Sequence, residues 1–254
     1  MILDLFKLDG KVALVTGAGQ GLGQGMALAL ADAGADIAGL DRTGCQGTCE
    51  AVRALGRKYH ESVVDLREAS VEKLNDVVAN IVKELGRIDI LVNNAGTIRR
   101  TPAIDFSEKD WDDVLQINLK AAFFLSQAVA RVMMSQGSGK IINIASMLSF
   151  QGGINVPSYT ASKSGIAGIT RALANEWAKH NINVNAIAPG YMATDNTAAL
   201  RADPNRSTSI LDRIPAARWG TPDDLKGAVV FLASSASDYM HGAIVPVDGG
   251  WLTR

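Results

Sequence analysis

The chain has 254 residues, of which 47% are hydrophobic, and its 25 Lys and Arg nearly balance 26 Asp and Glu for a formal net charge of −1. This composition supplies a large core and argues against a disordered chain. The basic residues are scattered, so we expect neither nucleic acid nor a membrane as a partner. The length suits one α/β domain or two small ones.

The beginning of the chain and its cysteines predict a soluble cytoplasmic protein. The segment MILDLFKLDGK lacks an apolar core of secretory length, and no run approaches the roughly 18–20 apolar residues that span a bilayer. Cys45 and Cys49 are the two cysteines, and a C-x3-C pair without nearby histidine is a poor metal site. We therefore expect free thiols, a reducing compartment and no metal.

Short apolar runs alternate with helical patterns along the chain. Strands are predicted at 11–17, 36–41, 59–65, 88–96, 140–146, 182–190 and 242–250. Helices are predicted at 22–33, 46–55, 71–85, 108–136 and 157–179. This alternation predicts a single α/β domain with a doubly wound, Rossmann-like parallel sheet of seven strands. The segment 191–218 breaks the rhythm and is long for a connection, so we expect a small substrate lid there.

The first predicted strand runs into the glycine-rich sequence TGAGQGLGQG at 16–25. Gly17, Gly21 and Gly23 allow a sharp turn and a close approach of the backbone to a ligand. The helix that follows offers free N–H groups and a positive dipole end to a pyrophosphate. A glycine-rich turn alone is weak evidence, but its position directly after the first strand favours a dinucleotide site.

Acidic residues end the second and third predicted strands. Asp41 can accept hydrogen bonds from ribose hydroxyls and would repel a 2′-phosphate, which favours NAD over NADP. Arg42 follows it and could contact a phosphate, which leaves NADP open. Asp65 could touch the adenine or simply cap the next turn.

Polar residues also gather where later strands end and on the helices that follow. Asn93 and Ser146 close the fourth and fifth predicted strands, while Tyr159 and Lys163 lie one helical turn apart. Asn118 falls on the apolar stripe of its helix, where a buried amide must find partners; it is either structural or functional. A cation beside a phenol favours the phenolate, so this pair can act as an acid–base catalyst.

These motifs together resemble the short-chain dehydrogenase/reductase superfamily over essentially the whole chain. The matching features are TGAGQGLG at 16–23, NNAG at 93–96, Asn118, Ser146, Tyr159 with Lys163, PG at 189–190 with Thr194, and VDGG at 247–250. The resemblance implies that Tyr159 is the general acid in reduction and the base in oxidation. It implies that Lys163 binds the nicotinamide ribose, Ser146 holds the substrate oxygen, and Asn118 anchors a water in a proton relay.

The resemblance also implies a set of cofactor contacts. We expect them from Gly17, Gln20, Gly21, Leu22, Gly23, Asp41, Arg42, Asp65, Leu66, Asn93, Ala95, Gly96, Tyr159, Lys163, Pro189, Gly190, Met192 and Thr194. The implied assembly is a homotetramer that uses the C-terminal VDGGWLTR in subunit contacts.

Several longer segments, among them NNAGTIRRTPAIDFSEKDWDDV and NIASMLSFQGG, are similar to bacterial members of the superfamily that act on six-carbon sugar acids. The implied substrate is a small sugar acid from uronate and pectin breakdown, and the implied cofactor is NAD. Substrate contacts are expected from Ser146, Tyr159, Arg99, Arg100, Gln151 and Arg213, since arginine pairs well with a carboxylate.

Three alternatives stay open at this point. Two are other reductases of the same superfamily, a gluconate 5-dehydrogenase or a 3-oxoacyl carrier-protein reductase, although no basic docking patch stands out for the latter. The third is a silent dinucleotide-binding sensor, which predicts loss of Tyr159, Lys163 or Ser146; all three are present.

Overall fold

The computed structural model describes residues 1–254 and contains one parallel sheet of seven strands, in the order β3-β2-β1-β4-β5-β6-β7. The strands are β1 Val12–Thr16, β2 Asp36–Asp41, β3 Tyr59–Val63, β4 Ile90–Asn93, β5 Gly139–Ile144, β6 Ile182–Pro189 and β7 Ile244–Val247. The predicted seven-stranded, doubly wound sheet is confirmed. No helix in the chain has the length and apolarity needed to cross a membrane.

Nine α-helices connect or follow these strands. They are α1 Gly21–Asp32, α2 Gln46–Ala54, α3 Val71–Leu85, α4 Glu108–Leu115, α5 Ala121–Gln136, α6 Pro157–Trp177, α7 Ala198–Ala202, α8 Pro204–Leu211 and α9 Lys226–Ala233. Short 3₁₀ turns flank several of them, and another, Ile2–Phe6, precedes β1.

The sheet buries both of its faces, which explains why its strands are continuous apolar runs. In β1, Ala13 and Val15 pack into the cluster that includes α1 and α9, whereas Leu14 packs into the opposite cluster with α3 and α5. Strands covered on both sides cannot show the alternation of a half-exposed strand.

Two elements depart from the sequence predictions. The predicted helix 108–136 is divided by a π-helical turn, Gln116–Lys120, in which the Ala121 N–H bonds to the Gln116 carbonyl. The helix α9 was not predicted, because its eight residues, KGAVVFLA, form a short apolar run without helical periodicity. The segment 191–218, predicted as a lid, contains α7 and α8.

The strand order positions the site. From β1 the chain winds outward to β2 and β3, and it then returns to β4 on the other side of β1. Ligands of such sheets bind beyond the carboxyl ends of the strands, at this reversal. The ends of β1, β2, β4, β5 and β6 all carry predicted site residues.

Candidate active site

The glycine-rich turn after β1 is closely packed. The Gly17 N–H donates to the Leu40 carbonyl (2.7 Å), and Gly17 has a φ of +66°, which favours glycine. A Cβ on Gly23 would lie 1.9 Å from the Gly17 carbonyl oxygen. Both positions therefore require glycine for the turn to fold back against α1.

The beginning of α1 is open to a ligand. Its N-cap, Gln20, makes no side-chain cap, and the first N–H of this end to reach a carbonyl is that of Gln24, which bonds to Gln20 (3.2 Å). A Cβ on Gly21 would meet only the Thr194 Cγ2, at 3.8 Å. Free N–H groups at a helix end facing such a gap fit the pyrophosphate of a dinucleotide.

The NNAG segment supports this turn from β4. Asn94 donates from Nδ2 to the carbonyls of Thr16 (2.9 Å) and Gly17 (3.2 Å), and the Thr16 hydroxyl accepts from the Ala95 N–H (2.9 Å). Asn93 is buried and donates to Ser126 Oγ and Asn143 Oδ1, both at 2.9 Å. The Asn93 side chain thus braces the sheet instead of facing the crevice.

The end of β2 holds the residues predicted to read the adenosine ribose. The Asp41 carboxylate accepts from the Gly19 N–H (3.1 Å) and from the N–H and hydroxyl of Thr43 (both 3.3 Å). Arg42 is exposed beside it. At the end of β3, Asp65 accepts from the Arg67 N–H (2.9 Å), which is the turn-capping alternative, and Leu66 is buried.

The opposite wall of the crevice follows β6. Gly190 lies so close to Asp248 that a Cβ would be 2.6 Å from the Asp248 Cα. Met192 is buried, and its carbonyl accepts from the Thr197 hydroxyl (2.5 Å). Pro189 and Gly190 therefore lead the chain to Thr194, which faces the glycine-rich turn.

Asn118 lies in the π-helical turn and is 2% exposed. Its Oδ1 accepts from the Thr97 N–H (2.8 Å), and its Nδ2 donates to the Thr97 carbonyl (2.9 Å) and to Ser162 Oγ (3.1 Å). The Asn118 amide thereby joins the segment that follows NNAG to α6, the helix that carries Tyr159. π-Turns occur often at functional sites, because they shift the register of the helix carbonyls.

Ser146, Tyr159 and Lys163 come together beside Asn118. The Lys163 ammonium is buried, donates to the Ile144 carbonyl (2.6 Å) and lies 5.5 Å from the centroid of the Tyr159 ring. Burial without a counter-ion lowers the pKa of Lys163 to about 8. The Ile144 carbonyl is the one hydrogen-bond partner of this ammonium in the structure.

Tyr159 is partly buried, and desolvation raises its pKa. A side-chain hydrogen bond with Ser146 and the charge of Arg100 act against this rise. The free protein therefore holds Tyr159 as a phenol at neutral pH, ready to donate a proton. For Tyr159 to act as a base, additional positive charge nearby must lower its pKa, or the pH must be higher.

The three predicted substrate arginines differ in their surroundings. Arg99 already pairs with Asp110 (Nε to Oδ1, 3.0 Å) and donates to Thr97 Oγ1 (3.0 Å). Arg100 is exposed and donates to the Asn196 carbonyl (3.1 Å), and Arg213 donates to Gln151 Oε1 (3.3 Å). Neither Arg100 nor Arg213 forms an ion pair with a carboxylate.

The sequence analysis did not identify the residues that hydrogen-bond to the predicted site residues and fix their positions. Thr16 accepts from the N–H groups of both Asn94 and Ala95, and Ser162 bonds to Asn118. Ser149 donates to the Lys163 carbonyl (2.6 Å). Thr16 lies in the motif TGAG and Ser162 in the motif YTASK. Their hydroxyl groups, among small or apolar neighbours, are the sequence feature that could have identified them.

Comparisons with known proteins agree with this geometry. Residues 11–205 match the family model for short chain dehydrogenases. The 2-dehydro-3-deoxy-D-gluconate 5-dehydrogenase of Escherichia coli (strain K12) is 64% identical over 255 residues, covering 100% of both chains. The Bacillus subtilis (strain 168) enzyme of that name is 54% identical over 252 residues, covering 99% of this chain and 98% of that one.

The fold of the chain is also similar to that of a solved structure. An Agrobacterium tumefaciens protein with bound NADP has a TM-score of 0.92 and 52% identity to this chain, covering 99% of this chain and 100% of that one. Tyr159, Lys163 and Ser146 meet in the crevice where this fold binds a dinucleotide. The chain therefore belongs to the short-chain dehydrogenase family.

Proposed function

We propose that the protein transfers a hydride between NAD(H) and a ketone or secondary alcohol of a six-carbon sugar acid. Oxidation of the C5 hydroxyl of 2-dehydro-3-deoxy-D-gluconate to the 5-ketone, or the reverse reduction, is the reaction that its relatives' names support. The main observation that supports this proposal is the grouping of Ser146, Tyr159 and Lys163. Two further arginines, Arg100 and Arg213, have no carboxylate partner.

The proton steps follow from the positions of these side chains. In reduction, Tyr159 gives its proton to the carbonyl oxygen while hydride adds to the carbonyl carbon; in oxidation it takes the hydroxyl proton. Ser146 bonds to the same substrate oxygen and orients it. It has no histidine partner, so it is an orienting donor and not a nucleophile. The dinucleotide, when bound, supplies or accepts the hydride.

Lys163 has two tasks in this proposal. Its free donors bind the nicotinamide ribose, and its charge favours the phenolate of Tyr159. Because burial lowers the pKa of Lys163 to about 8, this charge is present at neutral pH and fades above it. Asn118 anchors the proton relay, as the family resemblance implies, from a turn tied to Thr97 and Ser162.

The choice of NAD over NADP is part of the proposal. Asp41 at the end of β2 places negative charge where a 2′-phosphate would lie, and repulsion there disfavours NADP. The exposed Arg42 is the feature that would support NADP, which is the cofactor bound in the Agrobacterium tumefaciens structure.

Recognition of an acid depends on the two free arginines. A guanidinium binds a carboxylate through two parallel hydrogen bonds, and Arg100 also lies close enough to Tyr159 for its charge to affect the phenol. Arg213 lies in the segment 191–218, which we propose as the substrate lid. A homotetramer and a cytoplasmic location stay predictions from the family resemblance.

A panel of sugar acids tests the proposal. Purified protein is mixed with each acid and NAD, or with each keto acid and NADH, and the nicotinamide absorbance is followed. We expect turnover of a six-carbon keto or deoxy acid at a rate well above that of unbranched ketones and acyl thioesters. Turnover of acyl thioesters alone would support a carrier-protein reductase instead.

A further inference from the structure

The last residues of the chain form a compact turn after β7 in which Trp251 is buried. The Asp248 carboxylate accepts from the N–H groups of Gly250 and Leu252, both at 2.9 Å, and so caps the 3₁₀ turn Trp251–Thr253. The Trp251 side chain is buried, although it lies only three residues from the C-terminus. A chain end is usually poorly ordered unless contacts hold it, and here the indole supplies such contacts.

This C-terminal turn is packed against the end of the lid. A Cβ on Gly249 would lie 2.9 Å from Ile214 Cγ2, and one on Gly250 would lie 2.9 Å from Pro215 Cγ. The Gly249 carbonyl also accepts from the Ala216 N–H (2.9 Å). Only glycine permits such an approach, so the tail and the end of the lid form one unit.

Arg213 lies on top of this unit. Its guanidinium carbon is 4.1 Å from the centroid of the Trp251 ring, and its Nη2 donates to Gln151 Oε1 (3.3 Å). Its backbone carbonyl accepts from Arg254 Nε (3.2 Å). Stacking on an indole face orients a guanidinium without neutralising it, unlike an ion pair.

The stacked arginine is linked to the catalytic centre through Gln151 and Met147. The Gln151 N–H donates to the Met147 carbonyl (3.2 Å), and Met147 packs in the same apolar cluster as Trp251. Met147 follows Ser146, which lies beside Tyr159. The Tyr191 ring, 4.8 Å from that of Trp251, supports the indole from the β6 side.

We infer that the C-terminal turn is part of the substrate site, where Trp251 holds the Arg213 guanidinium in position to bind the carboxylate of the acid substrate. This inference rests on the proposed function, because it needs an acidic substrate. Trp251 is a positioning residue here: it acts through Arg213 and does not touch the reacting atoms.

The test compares variants on an acid substrate and on its neutral analogue, in which the carboxylate is reduced to a primary alcohol. Arg213→Ala is expected to raise KM for the acid by about 10-fold or more, as expected for loss of a charge-assisted hydrogen bond, and to leave the neutral analogue unchanged. Trp251→Leu is expected to raise KM for the acid about 2- to 10-fold, since it removes the stacking face. Trp251→Phe is expected to restore most of the affinity.

The double variant separates positioning from general packing. If Trp251 acts through Arg213, Trp251→Leu has no further effect on KM in the Arg213→Ala background. Arg218→Ala is the matched control, because Arg218 lies in the same segment but is already paired with Asp224 (2.6 Å). We expect its KM values to equal those of the wild type.

Two results for Trp251→Leu would overturn the inference. One is an equal rise in KM for the acid and the neutral analogue in Trp251→Leu; the other is an undiminished effect of Trp251→Leu in the Arg213→Ala background. If the wild type turns over the acid but Arg213→Ala leaves its KM unchanged, the inference fails and the proposed function stands. If the wild type turns over no sugar acid, the proposed function itself fails.

Discussion

The ammonium of Lys163 lies 5.5 Å from the centroid of the Tyr159 ring and makes one protein hydrogen bond, to the Ile144 carbonyl at 2.6 Å. The contact between Lys163 and Tyr159 adds little to the stability of the fold, because no carboxylate compensates the buried charge of Lys163. Natural folds retain such a charge where function requires it.

Tyr159→Phe is expected to bind NADH as the wild type does and to lose turnover by at least about 10²- to 10⁴-fold, the usual contribution of a positioned proton donor. Fluorescence titration measures binding, and steady-state assays measure turnover. Tyr239→Phe is the control, because Tyr239 is fully exposed and remote in sequence from the site. Survival of most activity in Tyr159→Phe would remove Tyr159 from the proton transfer.

Lys163→Met is expected to abolish activity while it stabilises the free protein. The pKa of Lys163 falls from 10.5 to about 8 on folding, so below about pH 8 both states carry the charge and the folded state bears the full penalty. At about 1.4 kcal/mol per pKa unit, that penalty is roughly 3 kcal/mol. Thermal melts at pH 7 should therefore give a higher Tm for the variant.

The same linkage gives the pH dependence its sign. As pH rises from about 8 towards 10.5, the folded lysine loses its proton while the unfolded one keeps it, so the wild type gains stability relative to the variant. The Tm difference should shrink over this window. A variant less stable than the wild type at pH 7 would show that Lys163 is held by more than its one carbonyl contact.

Arg100→Ala and Arg99→Ala are expected to behave differently. Without the charge of Arg100 the pKa of Tyr159 rises, so the pH profile of alcohol oxidation should move to higher pH, and KM for the acid should rise about 10-fold or more. Arg99→Ala should mainly lower Tm, by breaking its bond to Asp110. Equal KM effects on an acid and its neutral analogue would exclude Arg100 from carboxylate binding.

Asp41→Ala is expected to weaken the binding of NAD more than that of NADP, and thereby to lower the preference for NAD over NADP. Arg42→Ala should leave NAD unchanged and weaken NADP, since the exposed guanidinium can serve only a 2′-phosphate. Dissociation constants for both cofactors with each variant measure this. Equal losses for the two cofactors in Asp41→Ala would mean that its bonds to Gly19 and Thr43 shape the loop and do not select the cofactor.

Most of the site residues that could be predicted from the sequence belong to short local motifs. The glycine-rich turn and the Tyr159–Lys163 spacing depend on short-range geometry, so the sequence could place them. Asn118 was recognised as a misplaced polar residue, but its partners, Thr97 and Ser162, come from other elements. The commitment of Arg99 to Asp110 and the stacking of Arg213 on Trp251 are long-range side-chain contacts, which no spacing rule reports.

The central claim is that this tyrosine-centred site serves an acidic sugar. Its most direct test is the wild-type kcat/KM for a six-carbon keto sugar acid and NADH, compared with that for the analogue whose carboxylate is reduced to an alcohol. We predict a preference for the acid of at least about 10-fold, the contribution of one charge-assisted carboxylate contact. Equal values, or a preference for the neutral analogue, would contradict it.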